Sequence, residues 1–257
     1  MSYAHTYEFA ENQAWDFEAT VSAPPFADVV TAVEPISDDA VLEIGPDGVR
    51  SATFDPAKVV AVEANRECVQ ETDGELSVGL PLHKLEGNWP GYYPGGNPTY
   101  TLSVHHSASS EDGPAAKLSH TTEGQQKMDA FAPRDRDTLE EWPDREFDYD
   151  TQVPAPKIRG ALFGMASAAD SLVRLTPGAE TILLEADDEN GEWEYEWKIT
   201  VPDVGLGDPQ VYSADYLRDI ASGMWPTGEY TVRFGPEQPL ELERDGLRYI
   251  QAPRLMD

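Results

Sequence analysis

The side chains that could catalyse a reaction or hold a metal are scattered along the 257 residues of the chain. His105 and His106 are neighbours on a predicted strand, so they point to opposite faces and cannot chelate one ion together. Ser107–Ser110 do not stand between a strand and a helix, as the nucleophile elbow of a hydrolase requires. Cys68 is the single cysteine, which excludes an internal disulfide, and no glycine-rich phosphate-binding motif precedes a helix. We therefore expect a protein that is not an enzyme and that needs no cofactor or metal.

The net charge of the chain is −30 at pH 7, with 48 acidic and 18 basic residues. A small soluble domain usually carries a net charge with a magnitude of about 2–8. Two interpretations are open: the hydrated acidic surface of a protein from a salt-loving microbe, or an acidic protein that mimics or repels nucleic acid. The acidic residues are spread along the whole chain. This favours the first interpretation, because at molar salt the Debye length falls to about 3 Å and self-repulsion becomes tolerable.

Apolar residues alternate with polar ones through most of the chain, which is typical of strands with one buried face. Helical spacing of apolar residues interrupts this pattern and predicts four helices or helix starts, at Phe26–Val33, Pro81–Gly87, Pro156–Ala169 and Val211–Ser222. The chain closes on a predicted hairpin, Phe234–Leu255, which alone would bury too little surface to be stable and must dock on a larger sheet. With 21 prolines among many strands and few helices, the expected fold class is α+β.

The order of predicted elements restarts halfway along the chain. Asp39–Asp47 (DAVLEIGPD) matches Asp170–Gly178 (DSLVRLTPG) at an offset of 131 residues. Both halves then continue with a hairpin, further strands, a second helix and closing strands. A repeat at half the chain length predicts two similar domains. We expect an N-terminal extension at 1–14, a first domain at 15–131, a connecting loop at 132–148 and a second domain at 149–257.

Several segments resemble the sliding clamps of the proliferating cell nuclear antigen (PCNA) family. The clearest is at the C-terminus, where Pro239-Leu240 precedes Tyr249–Leu255 with its Ala-Pro-Arg sequence. Further likenesses occur, in chain order, at Phe17–Ile44, Asp47–Val49, Val78–Pro81 and Asp215–Leu217. Each segment alone is weak, but their order and spacing are specific, and together they cover Trp15 to Leu255.

The resemblance implies the DNA-clamp fold, with two similar domains in each subunit. Three subunits would close a ring around duplex DNA, with helices lining the hole and antiparallel sheets outside. Such a clamp has no catalytic residues. Its partners would be duplex DNA, a DNA polymerase, a clamp loader and other proteins that carry short clamp-binding motifs.

The resemblance also implies a groove for partner peptides between the connecting loop and the C-terminal strand. Nine residues match its positions: Phe54, Val59, Trp142, Pro143, Pro239, Tyr249, Ile250, Ala252 and Pro253. The alternative is that all nine are ordinary core or edge residues. Trp142 argues against this alternative, because a tryptophan within a charged loop needs a surface to cover or a partner to bind.

Subunits of a clamp would join through paired edge strands, and a closed ring leaves no open edges. Trp193, Tyr195 and Trp197 alternate along one predicted edge strand, and Lys117 and Leu118 lie on the matching edge of the first domain. The alternative for the aromatic stripe is a buried sheet face.

Few basic residues occupy the helices that should face DNA. They are His83, Lys84, Lys157, Arg159 and Arg218. Phosphate contacts weaken steeply as salt rises. A ring that encloses DNA does not need tight contact, so we expect weak direct binding to the duplex.

These observations predict a homotrimeric processivity factor, a sliding clamp of a halophilic archaeal or viral type. We expect it in a high-salt cytoplasm, associated with the nucleoid, since the chain contains no run of 18 or more apolar residues that could cross a membrane. Two alternatives stay open. One is an acidic decoy with the clamp fold that binds replication proteins without loading on DNA, and the other is a generic β-rich enzyme or binding domain.

Trp142→Ala should weaken the binding of a clamp-binding peptide by roughly tenfold, as expected for a tryptophan at the centre of a binding surface. Titration of a fluorescently labelled peptide against the two proteins measures the affinity. An unchanged affinity would contradict the assignment of Trp142 to the groove.

Overall fold

A computed structural model of the chain describes residues 17–82, 99–105, 115–120, 124–129, 146–202 and 204–254. This part holds three helices and seventeen strands. The helices are α1 (Ala23–Val33), α2 (Ala155–Ala168) and α3 (Ala214–Gly223). The strands of the first half are β1 (Phe17–Ser22), β2 (Asp39–Gly45), β3 (Gly48–Phe54), β4 (Val60–Arg66), β5 (Val69–Thr72), β6 (Leu76–Pro81), β7 (Thr99–His105), β8 (Ala115–His120) and β9 (Gly124–Asp129). Those of the second half are β10 (Tyr149–Pro154), β11 (Leu172–Gly178), β12 (Thr181–Asp187), β13 (Trp193–Thr200), β14 (Gln210–Ser213), β15 (Glu229–Phe234), β16 (Leu240–Arg244) and β17 (Leu247–Gln251).

The element order of the first half returns in the second. The order β1, α1, β2, β3 and β4 corresponds to β10, α2, β11, β12 and β13. The two matching sequence segments become β2 and β11, the first strands of the two hairpins. The duplication is therefore present in the order of elements. The domain boundaries stay predictions, because residues 1–16 and 130–145 lie outside the described part.

The strands form three sheets, with the orders β5-β1-β7-β8-β9, β10-β15-β16-β17-β4-β3-β2-β6 and β13-β12-β11-β14. The eight-stranded sheet contains strands of both halves, which meet where β17 pairs antiparallel with β4. We call this pairing the half-to-half junction. Tyr249 stands opposite Val62 and Leu247 opposite Ala64 across it, and all four are buried. The closing hairpin thus docks on a larger sheet, as predicted.

The helices pack on the sheets through the apolar residues that the spacing predicted. The buried residues of this kind are Phe26, Val29, Val30 and Val33 in α1, Ile158, Leu162 and Met165 in α2, and Leu217 and Ile220 in α3. Both α1 and α2 have a proline in their first turn, where a missing backbone N–H leaves no intrahelical bond unmade. Among the described residues, no helix has the length and apolarity needed to span a membrane.

The third helix begins later than predicted. Val211, Tyr212 and Ser213 belong to β14, which pairs with β11, and the helix starts at Ala214. Tyr212 is fully buried opposite Val173. Aromatic and β-branched residues at a paired, half-buried position favour a strand. The helix start predicted at Pro81–Gly87 lies outside the described residues beyond position 82.

Tyr249→Phe should destabilise the half-to-half junction. Tyr249 is fully buried, and its hydroxyl donates a hydrogen bond of 2.8 Å to the carbonyl of Ala32 in α1. The variant leaves that carbonyl without this donor, which should lower the free energy of unfolding by about 1–3 kcal/mol. Denaturant unfolding at fixed protein concentration measures the loss. Leu206→Ala is the control, since Leu206 is 81% exposed and lies away from the sheet edges, and equal losses in the two variants would contradict the expectation.

Candidate functional site

A row of three apolar side chains crosses the eight-stranded sheet on the face turned away from the helices. Phe54 on β3 stands opposite Ala61 on β4, and Ala61 stands opposite Ile250 on β17. All three are partly exposed, whereas their strand neighbours Val62 and Tyr249 are buried on the helix side. The row spans the half-to-half junction, so it exists because the two halves share one sheet.

The C-terminal segment borders this row. The N–H of Ala252 donates a hydrogen bond of 2.8 Å to the carbonyl of Val59, which brings Ala252 and Pro253 beside the β3–β4 loop. Ala252 is exposed, and Val59 and Pro253 are partly exposed. We call the area formed by Phe54, Val59, Ile250, Ala252 and Pro253 the outer apolar surface. Five of the nine predicted peptide-binding residues therefore lie together.

The other four predicted peptide-binding residues do not join this surface. Tyr249 points into the core under α1, so its assignment to the groove is wrong. The physical reason is the alternation of side chains along a strand, which prevents Tyr249 and Ile250 from sharing one face. Pro239 is also buried, and its assignment to the groove wall stays a prediction. Trp142 and Pro143 lie outside the described residues.

The β3–β4 loop at Asp55–Val59 forms one side of the outer apolar surface. The ammonium group of Lys58 lies 4.9 Å from the centre of the Phe54 ring. Asp55 is buried, and its carboxylate accepts hydrogen bonds from the loop backbone and from the hydroxyl of Tyr216 in α3. Sequence reasoning missed this role of Asp55. The Asp-Pro pair signals a turn, but no local pattern signals a contact with a residue 161 positions away.

An alternating row of charges runs beside the outer apolar surface. Arg233 on β15 pairs with Asp150, Glu241 and Glu243, and Arg248 on β17 pairs with Glu241 as well. Only 1% of the Glu241 side chain is exposed, so two arginines hold one buried carboxylate. Burial acts to lower the pKa of the Arg233 guanidinium, but the three carboxylates outweigh it and hold that pKa above its ordinary value. Because salt screens buried pairs poorly, this row fixes β15, β16 and β17 in place.

The three described helices carry no net charge. Their sequences contain three acidic and three basic residues, in a chain with a net charge of −30. Of the predicted DNA-facing residues, Lys157 is exposed on α2. His83 and Lys84 lie outside the described part of the chain. The three described helices therefore do not share the net acidity of the chain.

Arg159 and Arg218 connect α2 with α3. Nε of Arg159 donates a hydrogen bond of 2.9 Å to the carbonyl of Ala221 in α3, and Nη2 of Arg218 donates one of 2.6 Å to the carbonyl of Ala166 in α2. Arg218 also forms an ion pair of 2.8 Å with Asp215. Each guanidinium thus satisfies a carbonyl in the last turn of the other helix, where intrahelical partners are missing. These two predicted DNA-facing residues have a structural role that the sequence did not indicate.

Within the described residues, strand β13 is an open edge of the four-stranded sheet, since it pairs there with β12 alone. Tyr195 and Trp197 on this strand are 45% and 48% exposed, and Phe163 on α2 is 49% exposed. The Trp197 ring lies over Gly164, so close that a Cβ there would meet it at 3.7 Å. We call Phe163, Tyr195 and Trp197 the edge aromatic cluster. Exposed apolar patches of this kind mark contacts with other chains.

Trp193 does not share the face of Tyr195 and Trp197, so the predicted three-residue stripe is wrong at this position. The register of β13 against β12 shifts between Ala186 and Asp187, as at a β-bulge, which turns the strand. The Trp193 ring lies 4.3 Å from the guanidinium of Arg174, whose sequence neighbours on β11 point into the core. Trp193 therefore covers the outer face of the sheet.

The predicted edge of the first domain is displaced by one strand. Lys117 and Leu118 lie on β8, which pairs with β7 on one side and with β9 on the other, so β8 is an inner strand. Their pairing partners on β9 are Lys127 and Gln126. Among the described strands, the edge of this sheet is β9, within a polar sequence that lacks the apolar alternation of a strand. The assignment of the edge to β8 is therefore wrong.

Glu241→Gln should lower the free energy of unfolding by about 3 kcal/mol, because it removes the buried carboxylate charge that Arg233 and Arg248 both contact. Glu43→Gln is the matched control. Glu43 pairs with Arg50, but its side chain is 45% exposed, and such pairs contribute about 1 kcal/mol or less. Denaturant unfolding of both variants measures the difference, and similar losses would contradict the importance assigned to burial.

Curated archaeal proteins match the chain over most of its length, although no protein-family model matches it. The DNA polymerase sliding clamp of Thermococcus gammatolerans is 27% identical over 251 residues, which cover 91% of this chain and 96% of that protein. The DNA polymerase sliding clamp of Pyrococcus horikoshii is 26% identical with the same coverage.

Solved structures agree with the architecture. PCNA of A. fulgidus, bound to the C-terminal region of FEN-1, matches with a TM-score of 0.70 at 17% identity, over 94% of this chain and 99% of that one. PCNA of Thermococcus kodakaraensis matches with a TM-score of 0.69 at 20% identity, over 93% of this chain and 100% of that one. The predicted α+β clamp fold is confirmed. The chain has the clamp fold and is a relative of the archaeal DNA polymerase sliding clamps.

Proposed function

We propose that this protein is a DNA polymerase processivity factor, a ring-shaped clamp that encircles duplex DNA and tethers replication and repair proteins. It acts as a mobile tether and not as an enzyme. The observation that carries the proposal is the clamp fold itself, matched over 94% of the chain, together with a helix layer that has no net charge. Two similar domains, at 15–131 and 149–257 with a connecting loop at 132–148, make up each subunit.

The charge distribution supports the enclosure of DNA. Duplex DNA carries one negative charge per roughly 1.7 Å of its axis, so a surface with the average acidity of this chain would repel it. Taken together, the helices α1, α2 and α3 contain as many acidic as basic residues. A neutral lining lets a duplex pass without attracting it strongly, which suits a ring that holds DNA by enclosure.

A homotrimer closed through edge strands accounts for the open edges. Strand β13 with the edge aromatic cluster is one partner, and β9 is the other. Pairing of β13 with β9 of the next subunit is heterologous, and such contacts generate a ring when the rotation closes. Closure would also cover the half-exposed rings of Tyr195 and Trp197, which an isolated subunit leaves in water.

The outer apolar surface is the proposed docking site for partner peptides, with Trp142 and Pro143 of the connecting loop as its outer wall. In the solved complex, A. fulgidus PCNA binds the C-terminal region of FEN-1. In this chain Phe54, Ile250 and Pro253 would receive the apolar side chains of such a peptide. The ion pairs of Arg233 and Arg248 hold the strands below them.

The acidic composition supports a protein that works in concentrated salt, within a DNA-associated cytoplasm of a halophilic archaeon or its virus. In molar salt the counterion release that drives phosphate contacts is small. Enclosure of the duplex does not depend on counterion release. A ring therefore stays on DNA at salt concentrations at which a charged binding surface dissociates.

A second candidate function is an acidic decoy that has the clamp fold but does not load on DNA. The observation in its favour is that Arg159 and Arg218 donate hydrogen bonds to helix carbonyls, which leaves fewer basic groups to contact phosphate. The two candidates differ in topological retention on DNA.

Retention on DNA with blocked ends tests the proposal. The purified protein is threaded in molar potassium chloride onto linear duplex tethered at one end to a bead, the free end is blocked with a bound protein, and the beads are washed. We expect retention that restriction cleavage of the duplex abolishes. A protein that binds the FEN-1 C-terminal peptide but is never retained would be a decoy.

Trp197→Glu should convert the ring to monomers, because it introduces a charge into the edge that subunits share. Light scattering in molar salt measures the mass. Leu206→Glu is the matched control, since Leu206 is 81% exposed and lies outside the edge aromatic cluster. A monomeric wild-type protein, or equal masses for both variants, would overturn the proposed ring.

A further inference from the structure

We infer that Tyr216 is a positioning residue for the docking of partner peptides, because its hydroxyl holds the Asp55 carboxylate that shapes one side of the outer apolar surface. The inference rests on the proposed function of that surface. Tyr216 itself lies in α3, on the helix layer, and not on the outer face. The two layers of the proposed clamp would thus be connected at one hydrogen bond.

Asp55 is the centre of the β3–β4 loop. It is 5% exposed, and its two carboxylate oxygens accept four hydrogen bonds. Oδ1 accepts from the N–H groups of Val59 and Val60, both at 2.6 Å. Oδ2 accepts from the N–H of Ala57 at 2.9 Å and from the hydroxyl of Tyr216 at 3.0 Å. Two of the four donors belong to the loop, the third is the first residue of β4, and the fourth comes from the other half of the chain.

The loop conformation depends on this carboxylate. Lys58 has a φ of +58°, in the left-handed region that a residue with a side chain seldom adopts. Its N–H donates a hydrogen bond of 2.8 Å to the carbonyl of Asp55, so the loop closes on itself around the same residue. A strained position of this kind persists when surrounding contacts over-determine it.

The strained loop supplies residues of the outer apolar surface. Phe54 precedes it and Val59 ends it, and the ammonium of Lys58 lies over the Phe54 ring. The carbonyl of Val59 accepts the N–H of Ala252, so a shift of the loop also moves the C-terminal segment. The distance between Phe54 and Ala252 across the docking surface therefore depends on the position of Asp55.

The hydroxyl of Tyr216 is suited to remain a hydrogen-bond donor to the Asp55 carboxylate. Partial burial raises the pKa of its phenol, and the neighbouring carboxylate of Asp55 raises it further, so the hydroxyl stays protonated. Its helix is anchored in turn, because Arg218, two residues later, donates to the carbonyl of Ala166 in α2. The loop thus takes its position from a helix pair that is itself tied together.

The test is a peptide titration of Tyr216→Phe in the full-length protein in molar salt, with the C-terminal peptide of A. fulgidus FEN-1 as the labelled probe. Loss of one hydrogen bond to a charged acceptor should weaken binding by roughly five- to tenfold. Tyr230→Phe is the matched control. It also loses a buried hydroxyl, one that contacts the backbone of Trp225 and not the loop, so it should lose stability with unchanged peptide affinity.

A double-variant comparison separates positioning from general weakening. If Tyr216 acts through Asp55, Tyr216→Phe should add no further loss in an Asp55→Asn background. Equal peptide affinity of Tyr216→Phe and wild type would overturn the inference, as would equal weakening in Tyr230→Phe. A wild-type protein that fails to bind the peptide would instead overturn the proposed docking function. If Asp55→Asn does not fold, the comparison of Tyr216→Phe with Tyr230→Phe still decides.

Discussion

Five residue pairs between β17 and β4 join the two halves of the chain into one eight-stranded sheet. The pairing joins strands from opposite halves of the chain. Burial of side chains on the helix side offsets the entropic cost of ordering them, and the Tyr249 hydroxyl donates a hydrogen bond to the carbonyl of Ala32 in α1. On the opposite side the same register lines up Phe54, Ala61 and Ile250. The buried core and the proposed docking surface thus lie on opposite faces of the sheet where β17 pairs with β4.

Charged residues are arranged differently on the helices and on the outer face of the sheet. The helix layer has as many basic as acidic residues, while on the outer face arginines alternate with carboxylates across neighbouring strands. Arg233 and Arg248 share Glu241, and Arg50 joins Glu43 to Glu63. Basic residues that are scarce in the sequence are therefore concentrated where they neutralise buried or crowded carboxylates.

Period and spacing predicted the elements that have one clear buried face. The apolar stripe of α1 and the hairpin β2–β3 follow directly from such patterns, since burial of one face is a local property of the sequence. Prediction failed where a distant strand decided the outcome. Val211 and Tyr212 are compatible with a helix, but pairing with β11 makes them a strand. The edge at β9 has a polar sequence, so only its pairing with β8 reveals it.

The candidate site shows the same limit residue by residue. The resemblance of the C-terminal segment to a family signature located Ile250 and Ala252, yet it also selected Tyr249, which strand alternation turns into the core. The alternation of aromatic residues groups Trp193 with Tyr195, but the register shift of β13 against β12 places the two side chains on opposite faces. The contact between Asp55 and Tyr216 could not be predicted, because a hydrogen bond between residues 161 positions apart does not affect the local spacing of residues.

The sequence by itself determined the α+β composition, the duplicated order of elements and the extreme acidity. These properties depend on residue type and short-range period, which a single chain displays directly. The tertiary structure decided which strands are edges, which side chains share a face, and which basic residues are already bound. Those features depend on pairing register and on contacts between distant segments, and a shift of one residue along a strand exchanges its buried and exposed sides.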